Sequence, residues 1–251
     1  MPYLKANWPL SAKIHAFTTL RPEGYSQDIF AGLNLSYRVQ DDANAVDQNV
    51  TKLVQEMQLP YRPEWIHQVH GAKVVNADQM LASTEADGVY THQSGKICAV
   101  LTADCLPILL CHPKNLGIAA LHAGWRSLHQ GIVEAGLNAL NLPAHELYVW
   151  LGPAIAQKAY VVGNEFREAF LDLNPRLSEA FYQDEDQQWH GDLYAIAKTQ
   201  LQDLGVQHIY GGEYCTYSDP TRFYSARYSL RHNDHTGGRM ATLIWVENNA
   251  I

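Results

Sequence analysis

The pattern of hydrophobic and polar positions divides the chain into strand-like and helix-like stretches. Residues 12–19 alternate between the two kinds of residue, which is typical of a half-buried strand. The runs 96–102, 107–111 and 117–121 are almost entirely apolar and have the length of strands, so they predict a meander that is buried on both faces. Further strand patterns cover 65–69 and 72–76, which turn at His70 and Gly71, and then 147–151, 207–210, 222–228 and 241–246.

Apolar residues recur at helical spacing in four other stretches, residues 44–59, 125–140, 164–173 and 192–204. Asp42 or Asn44 can cap the first of these helices, and Pro60 ends it. Asp192 and Gly205 mark the two ends of the last one. No linker, repeat or low-complexity segment interrupts the series of elements. We therefore predict one domain of the α/β (α+β) class that spans residues 1–251.

Composition limits the functions that such a domain can have. Hydrophobic residues make up 47% of the 251 positions and charged residues 18%, which allows a large core and argues against disorder. The formal net charge is −8 and the basic residues do not cluster, so we expect neither nucleic acid nor a membrane as a partner. A small anionic substrate remains compatible, because one or two local arginines can hold it.

The cysteines and the N-terminus predict a reduced, cytoplasmic location. The four cysteines show no paired spacing, and a chain of this length does not depend on disulfides. Residues 1–10 lack the charged and then apolar segments of a signal peptide. No stretch reaches the ~18 apolar residues of a membrane span. We expect a soluble protein that is a monomer or a small homo-oligomer.

One cysteine and two histidines in the middle of the chain are candidate metal ligands. Cys105 follows the first run of the predicted meander and His122 ends the third. Successive antiparallel strands would bring both ends to one side of the sheet, up to ~10 Å apart. With His70 they make a thiolate and two imidazoles, a set that binds zinc and leaves a fourth position open. The alternatives are a turn-capping His70, a buried Cys105 thiol and a hydrogen-bonded His122.

Three neighbouring residues suggest further roles. Asp104 could orient a histidine ring or carry a proton, although a turn carboxylate that bonds nearby amides is an equally natural interpretation. Gly124 lets the chain turn into a predicted helix, whose free N–H groups favour an anion. Arg126 lies in the first turn of that helix and could bind phosphate or carboxylate. The alternative for Arg126 is an ordinary surface arginine.

Two further arginines flank a polar stretch near the C-terminus. Arg227 and Arg239 enclose residues 228–238, which contain His232, Asp234 and His235. The two arginines could close over an anionic group. A solvated loop with incidental charge is the alternative, and an exposed histidine pair is the simpler interpretation of the His-x-x-His spacing.

Short motifs occur in a fixed order along nearly the whole chain. They are GLNL (32–35), DD (41–42), HQVHG (67–71), ADG (86–88), TADCLP (102–107), HAGWR (122–126), CT (215–216), FYS (223–225) with Arg227, and TGGR (236–239). This ordered set resembles the YfiH family, which is also called the laccase-domain or multicopper polyphenol oxidoreductase family. Each motif alone is weak, but their order makes the resemblance specific. This chain carries Arg38 where many members carry histidine.

The resemblance implies a layered α/β/β/α sandwich with mixed sheets and a zinc site at His70, Cys105 and His122, where Cu2+ is also possible. It implies a purine nucleoside phosphorylase that splits adenosine, inosine and S-methyl-5′-thioadenosine with phosphate, and that has adenosine deaminase activity alongside. The partners would then be nucleosides and phosphate. We assign catalytic roles to Cys105, Asp104 and Arg126, and substrate binding to Gly124, Arg126, Arg227 and Arg239.

Three other functions remain open. Cys105 could be a nucleophile with His122 as its base, in a hydrolase that edits cell-wall precursors. A copper-dependent polyphenol oxidase is less favoured, because multicopper sites need many histidines, commonly in His-x-His pairs. None of the twelve histidines here forms such a pair. A non-catalytic metal-binding protein is the third alternative.

Overall fold

The computed structural model describes residues 1–81, 83–233 and 235–248. The strands are β1 (Tyr3–Lys5), β2 (Ile14–Thr19), β3 (Val74–Asn76), β4 (Gly88–Thr91), β5 (Cys98–Thr102), β6 (Leu106–Cys111), β7 (Ile118–Ala123), β8 (Tyr148–Leu151), β9 (Val161–Val162), β10 (Phe181–Gln183), β11 (Trp189–Gly191), β12 (His208–Gly211) and β13 (Met240–Val246). The helices are α1 (Ala43–Glu56), α2 (Trp125–His129), α3 (Ile132–Leu140), α4 (Asn164–Leu173), α5 (Leu193–Asp203) and α6 (Ala226–Asn233). No helix in these ranges is long and apolar enough to cross a lipid bilayer.

The strands form three sheets. A four-stranded antiparallel sheet has the order β1-β2-β13-β5. A six-stranded mixed sheet has the order β12-β8-β6-β7-β4-β3, with parallel pairs at its two edges and antiparallel pairs between them. The third sheet, β10-β11-β9, is small and antiparallel.

The two larger sheets pack face to face and carry helices on their outer faces. Alternation along β6 shows this arrangement, because Leu109 and Cys111 enter the core between the sheets while Ile108 and Leu110 enter the core under α3 and α5. On the other side, α1 covers the four-stranded sheet. A strand buried on both faces is apolar throughout, which explains the unbroken run. The fold is thus the expected α/β/β/α sandwich, in which the six-stranded sheet is mixed and the four-stranded sheet is antiparallel.

Three of the predicted helices are confirmed. Helix α4 coincides with the predicted stretch, and α1 and α5 differ from theirs by a few residues at their ends. The Asp42 carboxylate accepts the Asn44 N–H at 3.0 Å and so caps α1. Asp192 caps α5 by accepting two N–H groups, and Gly205 follows it with φ of 90°.

The predicted meander is wrong in one strand. Strands β6 and β7 form the expected antiparallel hairpin. Strand β5, however, pairs with β13 in the other sheet, so the chain crosses from one sheet to the other in the short turn before Leu106. Non-local pairing with a strand more than a hundred residues away outweighed the local sequence order.

Three other predictions are corrected. Residues 65–69 form a single bridge, from His67 to Glu85, and β3 pairs in parallel with β4, so the predicted hairpin at His70 is absent from the described residues. The predicted helix 125–140 is two helices, because Gly131 adopts φ of 86° and ends the first. The predicted strand 222–228 is absent from the described residues: residues 222 and 223 form a turn and a bend, and α6 begins at Ala226, where the Ser225 hydroxyl accepts the Tyr228 N–H.

Candidate metal centre

The β6–β7 hairpin brings Cys105 and the His122 segment together. In its register Leu106 pairs with Ala123 and Pro107 with His122. Cys105 precedes Leu106, so it lies beside Gly124, which follows Ala123. A Cβ atom on Gly124 would lie 2.9 Å from Cys105 Sγ. Their convergence therefore comes from one hairpin, and the predicted parallel relation between two meander strands is not its cause.

His70 reaches the same place from a turn outside any strand. Its backbone is left-handed, with φ of 59°, which costs ~1–2 kcal/mol for a residue with a side chain. The buried Asp87 carboxylate holds this turn by accepting the N–H groups of Val69, His70 and Gly71 at 3.2, 3.0 and 2.7 Å. Three convergent hydrogen bonds thus offset the strain of the turn.

Gln68 attaches the same segment to the four-stranded sheet. Its side-chain amide donates to the Leu101 carbonyl and accepts the Leu101 N–H, both at 2.8 Å. This pair of bonds imitates a β ladder along the exposed edge of β5. The glutamine therefore positions His70 relative to β5, a role that the sequence reasoning missed.

The three predicted ligand residues come together in the structure. One donor atom each of His70, Cys105 and His122 lies within 4.8 Å of the others. The two imidazole rings are 4.8 Å apart between centroids and nearly perpendicular, at 71°. This geometry makes the trio a candidate metal centre.

Asp87 also orients His122. The His122 Nδ1 lies 2.8 Å from Asp87 Oδ1, so its other ring nitrogen is left to face the centre. The sequence pattern favours Asp104 for this role and assigns none to Asp87. The signal was present in the ADG motif, but strands β4 and β7 had to be paired before the carboxylate and the ring could be connected.

Asp104 has other partners. Its carboxylate accepts the Thr216 hydroxyl at 2.6 Å and the Arg227 N–H at 2.7 Å, so it does not hold a histidine ring. Its own backbone is left-handed, with φ of 86°. These contacts are those of a residue that braces the turn before Cys105, and its proton-carrying role stays a prediction.

Opposite charges stabilise each other inside the centre. Burial raises the pKa of the Cys105 thiol, but the adjacent His122 and His70 imidazoles outweigh it and bring that pKa to about 6. Burial lowers the pKa of His122, whereas the Cys105 thiolate and Asp87 raise it to about 9. Near neutral pH the metal-free pair is therefore a thiolate and an imidazolium.

The trio fits a thiophilic metal ion. The buried His70 Nδ1 has no hydrogen-bond partner among the described residues, as expected of a nitrogen that serves as a ligand. Gly124 leaves the central space free, since its Cβ would also lie 3.0 Å from His70 Nδ1. One thiolate with two neutral imidazoles suits zinc and leaves a position for water or substrate.

The centre opens into a cavity of about 540 Å³, which is within the usual size of small-molecule sites. Three arginines line it and no carboxylate does among the residues that the structure describes. The full lining is Ser36, Arg38, Val39, Ile66, Gln68, His70, Leu101, Thr102, Ala103, Cys105, His122, Arg126, Ala226, Leu230, Thr236 and Arg239. In a protein of net charge −8, this local excess of positive charge favours an anionic ligand.

The predicted substrate arginines are placed differently from one another. Arg126 lines the cavity and stacks over Trp125 at 4.4 Å. Arg239 also lines it, but donates to the carbonyls of Thr236, Gly237 and Gly238 and so organises its own loop. Arg227 donates to the Val161 carbonyl at 3.2 Å and is outside the described lining.

The predicted anion site at the helix start is weaker than expected. Helix α2 has only five residues, so its dipole is small. Gly124 contributes open space beside Cys105 and His70. The positive charge of the cavity thus comes mainly from its arginine side chains.

Fold and donor set together define an α/β sandwich protein with a cysteine-and-histidine metal-type centre. The model of the family described as multi-copper polyphenol oxidoreductase laccase matches residues 15–247. The chain belongs to this family, which also confirms its resemblance to the YfiH proteins.

Individual relatives are similar over nearly their whole length. A purine nucleoside phosphorylase of Pseudomonas aeruginosa is 40% identical over 247 residues, covering 98% of this chain and 99% of the relative. The purine nucleoside phosphorylase YfiH of Escherichia coli is 38% identical over 240 residues, covering 95% and 96%. The crystal structure of a Neisseria meningitidis protein has a TM-score of 0.92 at 36% identity and covers 99% of this chain and 100% of that one.

Proposed function

We propose that this protein is a zinc-dependent purine nucleoside phosphorylase that acts as a single catalytic domain in the cytoplasm. The observation that carries this proposal is the cavity, which is lined by three metal-type donor residues and by three arginines. The positive charge of the arginines suits an anionic co-substrate, which would bind next to a neutral nucleoside. The names of the two curated relatives point to the same reaction.

His70, Cys105 and His122 are the residues that would hold the zinc ion. Bound there, zinc would act as a Lewis acid toward an oxygen of phosphate or substrate. Asp87 keeps the His122 ring and the His70 turn in place, so the protein supplies two preset nitrogens and one thiolate.

Phosphorolysis exchanges one bond at the anomeric carbon of ribose. A phosphate oxygen forms a bond to that carbon while the glycosidic C–N bond breaks, and the electron pair leaves with the purine. The purine then takes up a proton from water, so the products are the free base and ribose 1-phosphate. In the described part of the chain, the guanidinium groups of Arg38 and Arg126 have no hydrogen-bond or ion-pair partner, so both are free to bind phosphate.

Adenosine deamination is a second candidate for the same centre. The donor set supports it, because zinc deaminases also combine histidine and cysteine ligands. That reaction needs a general acid/base beside the metal, usually a glutamate. The described lining of the cavity contains no such carboxylate, so we propose phosphorolysis as the main reaction.

The other functions are less well supported. A Cys105–His122 hydrolase would not need a third donor, yet the unpartnered His70 Nδ1 lies at the same centre. A multicopper relay would need further groups of ligands. Within the described ranges, the trio is the one cluster of three or more metal-type side chains that could hold an ion.

Product and metal analysis of the zinc-loaded protein test this proposal. With inosine we expect hypoxanthine and ribose 1-phosphate only when phosphate is present, and elemental analysis should find about one zinc per chain. Cys105→Ala should lose metal and activity, whereas the matched variant Cys215→Ala, outside the cavity, should keep both.

Each contrary result has a separate meaning. Free ribose in place of ribose 1-phosphate would indicate a hydrolase. Full zinc content in Cys105→Ala would overturn the metal assignment. Absence of hypoxanthine with the wild-type protein would overturn the nucleoside proposal.

A further inference from the structure

Thr102, the last residue of β5, contributes a buried hydroxyl at the wall of the cavity. The residue is 1% exposed, and its Oγ1 has no hydrogen-bond partner within the residues that the structure describes. Burial of a hydroxyl without a partner is unfavourable, and nearly all buried polar groups in native proteins are hydrogen-bonded. The hydroxyl therefore requires a partner that the described protein does not supply.

Other buried threonines of the same sheet are satisfied. The hydroxyls of Thr18 and Thr242 bond to each other at 2.7 Å. The hydroxyl of Thr19 accepts the Ala241 N–H at 3.0 Å. Of these four threonines, Thr102 is the one that lines the cavity.

The position of Thr102 in its strand directs it toward the candidate centre. By alternation it shares a face of β5 with Cys98 and Val100, which pack between the two large sheets. The turn after Thr102 leads directly to Cys105, and His122 lies on the adjacent hairpin of the facing sheet. Thr102 and the three residues that carry the metal-type donors thus line one cavity.

We infer that Thr102 is a substrate-binding residue whose hydroxyl hydrogen-bonds to a ribose hydroxyl of the nucleoside. This inference rests on the proposed phosphorolysis and adds a residue that determines how the sugar is held. Phosphate is better matched by the charged groups of Arg38 and Arg126. A neutral hydroxyl that both donates and accepts matches a sugar hydroxyl, which does the same.

Two substitutions at this position separate binding from folding. Thr102→Val nearly keeps the shape of the side chain and removes the hydroxyl, so kcat/KM for inosine should fall by about 3- to 10-fold. Its Tm should stay at or above that of the wild type, since an unpartnered hydroxyl has been removed from a buried position. Thr102→Ser keeps the hydroxyl and should restore most of kcat/KM.

Deoxy analogues identify the bonded group. The ratio of wild-type to Thr102→Val kcat/KM should approach one with 2′-, 3′- or 5′-deoxyinosine, whichever lacks the hydroxyl that Thr102 binds. An equal ratio with inosine and all three analogues would overturn the inference, because the loss would then be structural. Unchanged kcat/KM for inosine in the variant would also overturn it.

Thr242→Val is the matched control in the same sheet. It removes a hydroxyl that is satisfied by Thr18, so Tm should fall while KM for inosine is unchanged. An inactive wild-type protein would overturn the proposed function and this inference together. An active wild-type protein with an unaffected Thr102→Val variant would overturn the inference alone.

Discussion

Asp87 and Asp104 are two buried carboxylates that each brace a turn carrying a candidate metal ligand, yet their surroundings differ. Asp87 accepts three backbone N–H groups and the ring of His122. Asp104 accepts one backbone N–H, from Arg227, and the Thr216 hydroxyl. Each turn contains one left-handed residue that is not glycine, with φ of 59° at His70 and 86° at Asp104.

The difference in donors shifts the pKa values of the two carboxyls in opposite directions. Burial raises the pKa of both carboxyls. At Asp87 the hydrogen bonds from His122, Gly71 and Val69 outweigh burial, so its pKa lies below the ordinary value of 3.8. At Asp104 burial dominates despite the bonds from Arg227 and Thr216, so its pKa lies above 3.8. A buried carboxylate stays readily ionised only when enough donors replace its lost hydration.

Asp87→Asn should have the largest effect of the changes that test this comparison. An amide cannot accept all four bonds and has no charge to pair with His122, so we expect zinc affinity to fall by about 10- to 100-fold. A competitive chelator titration measures this. Asp184→Asn is the control, because Asp184 bonds His190 at 2.9 Å away from the centre. Wild-type zinc affinity in Asp87→Asn would contradict the assigned role.

Gly124→Ala tests whether the metal centre needs open space between Cys105 and His70, the ligands carried by the two turns. The new Cβ would lie 2.9 Å from Cys105 Sγ and 3.0 Å from His70 Nδ1, while φ of −64° suits alanine. We expect weaker zinc binding with little change in Tm.

Gly131→Ala is the complementary control for that variant. Its position is open but has φ of 86°, so this change should cost ~1–2 kcal/mol of folding free energy and leave zinc affinity unchanged. Unaltered zinc binding in Gly124→Ala would show that the ligands need no such space.

Asp104→Asn should have a smaller effect on activity. An asparagine can accept the Arg227 N–H through its side-chain carbonyl and bond the Thr216 hydroxyl through its amide group, so both partners of Asp104 are kept. We expect kcat to change by less than about 10-fold at full zinc content. A loss of about 100-fold or more with zinc retained would instead establish Asp104 as the proton carrier that sequence reasoning suggested.

The smallest expected effect is on the pH dependence of stability. The folded state keeps a proton on Asp104 that the unfolded chain loses near pH 3.8, so this group lowers the unfolding free energy as pH rises from 3.8 through its folded pKa. Asp87 does the opposite, since its stabilisation is present above 3.8 and lost as pH falls through its lowered pKa.

Urea unfolding of Asp104→Asn from about pH 4 to about pH 8 measures this difference. The unfolding free energy of the variant relative to the wild type should increase with pH and level off above the folded pKa of Asp104. A difference that does not depend on pH would show that Asp104 is ionised in both states.

Much of the secondary structure was predictable because its signals are local. The periodicity of α1 and α4 and the caps at Asp42 and Asp192 act within a few residues, and all four are confirmed. The largest error fell where a distant contact decides, because strand β5 joined β13. The end of the predicted strand 222–228 failed for a local reason, because the Ser225 hydroxyl accepts the Tyr228 N–H and begins α6.

The sequence by itself determined the fold class, the apolar β6–β7 hairpin and the three side chains that could bind a metal. The hairpin follows from two adjacent apolar runs, and it brings Cys105 beside the end of β7 without further help. Only the tertiary structure decided that His70 joins them, because its strained turn is held by Asp87, seventeen residues away. It alone also set the opposite directions of the pKa shifts of Asp87 and Asp104, since burial and the count of donors are properties of the folded chain.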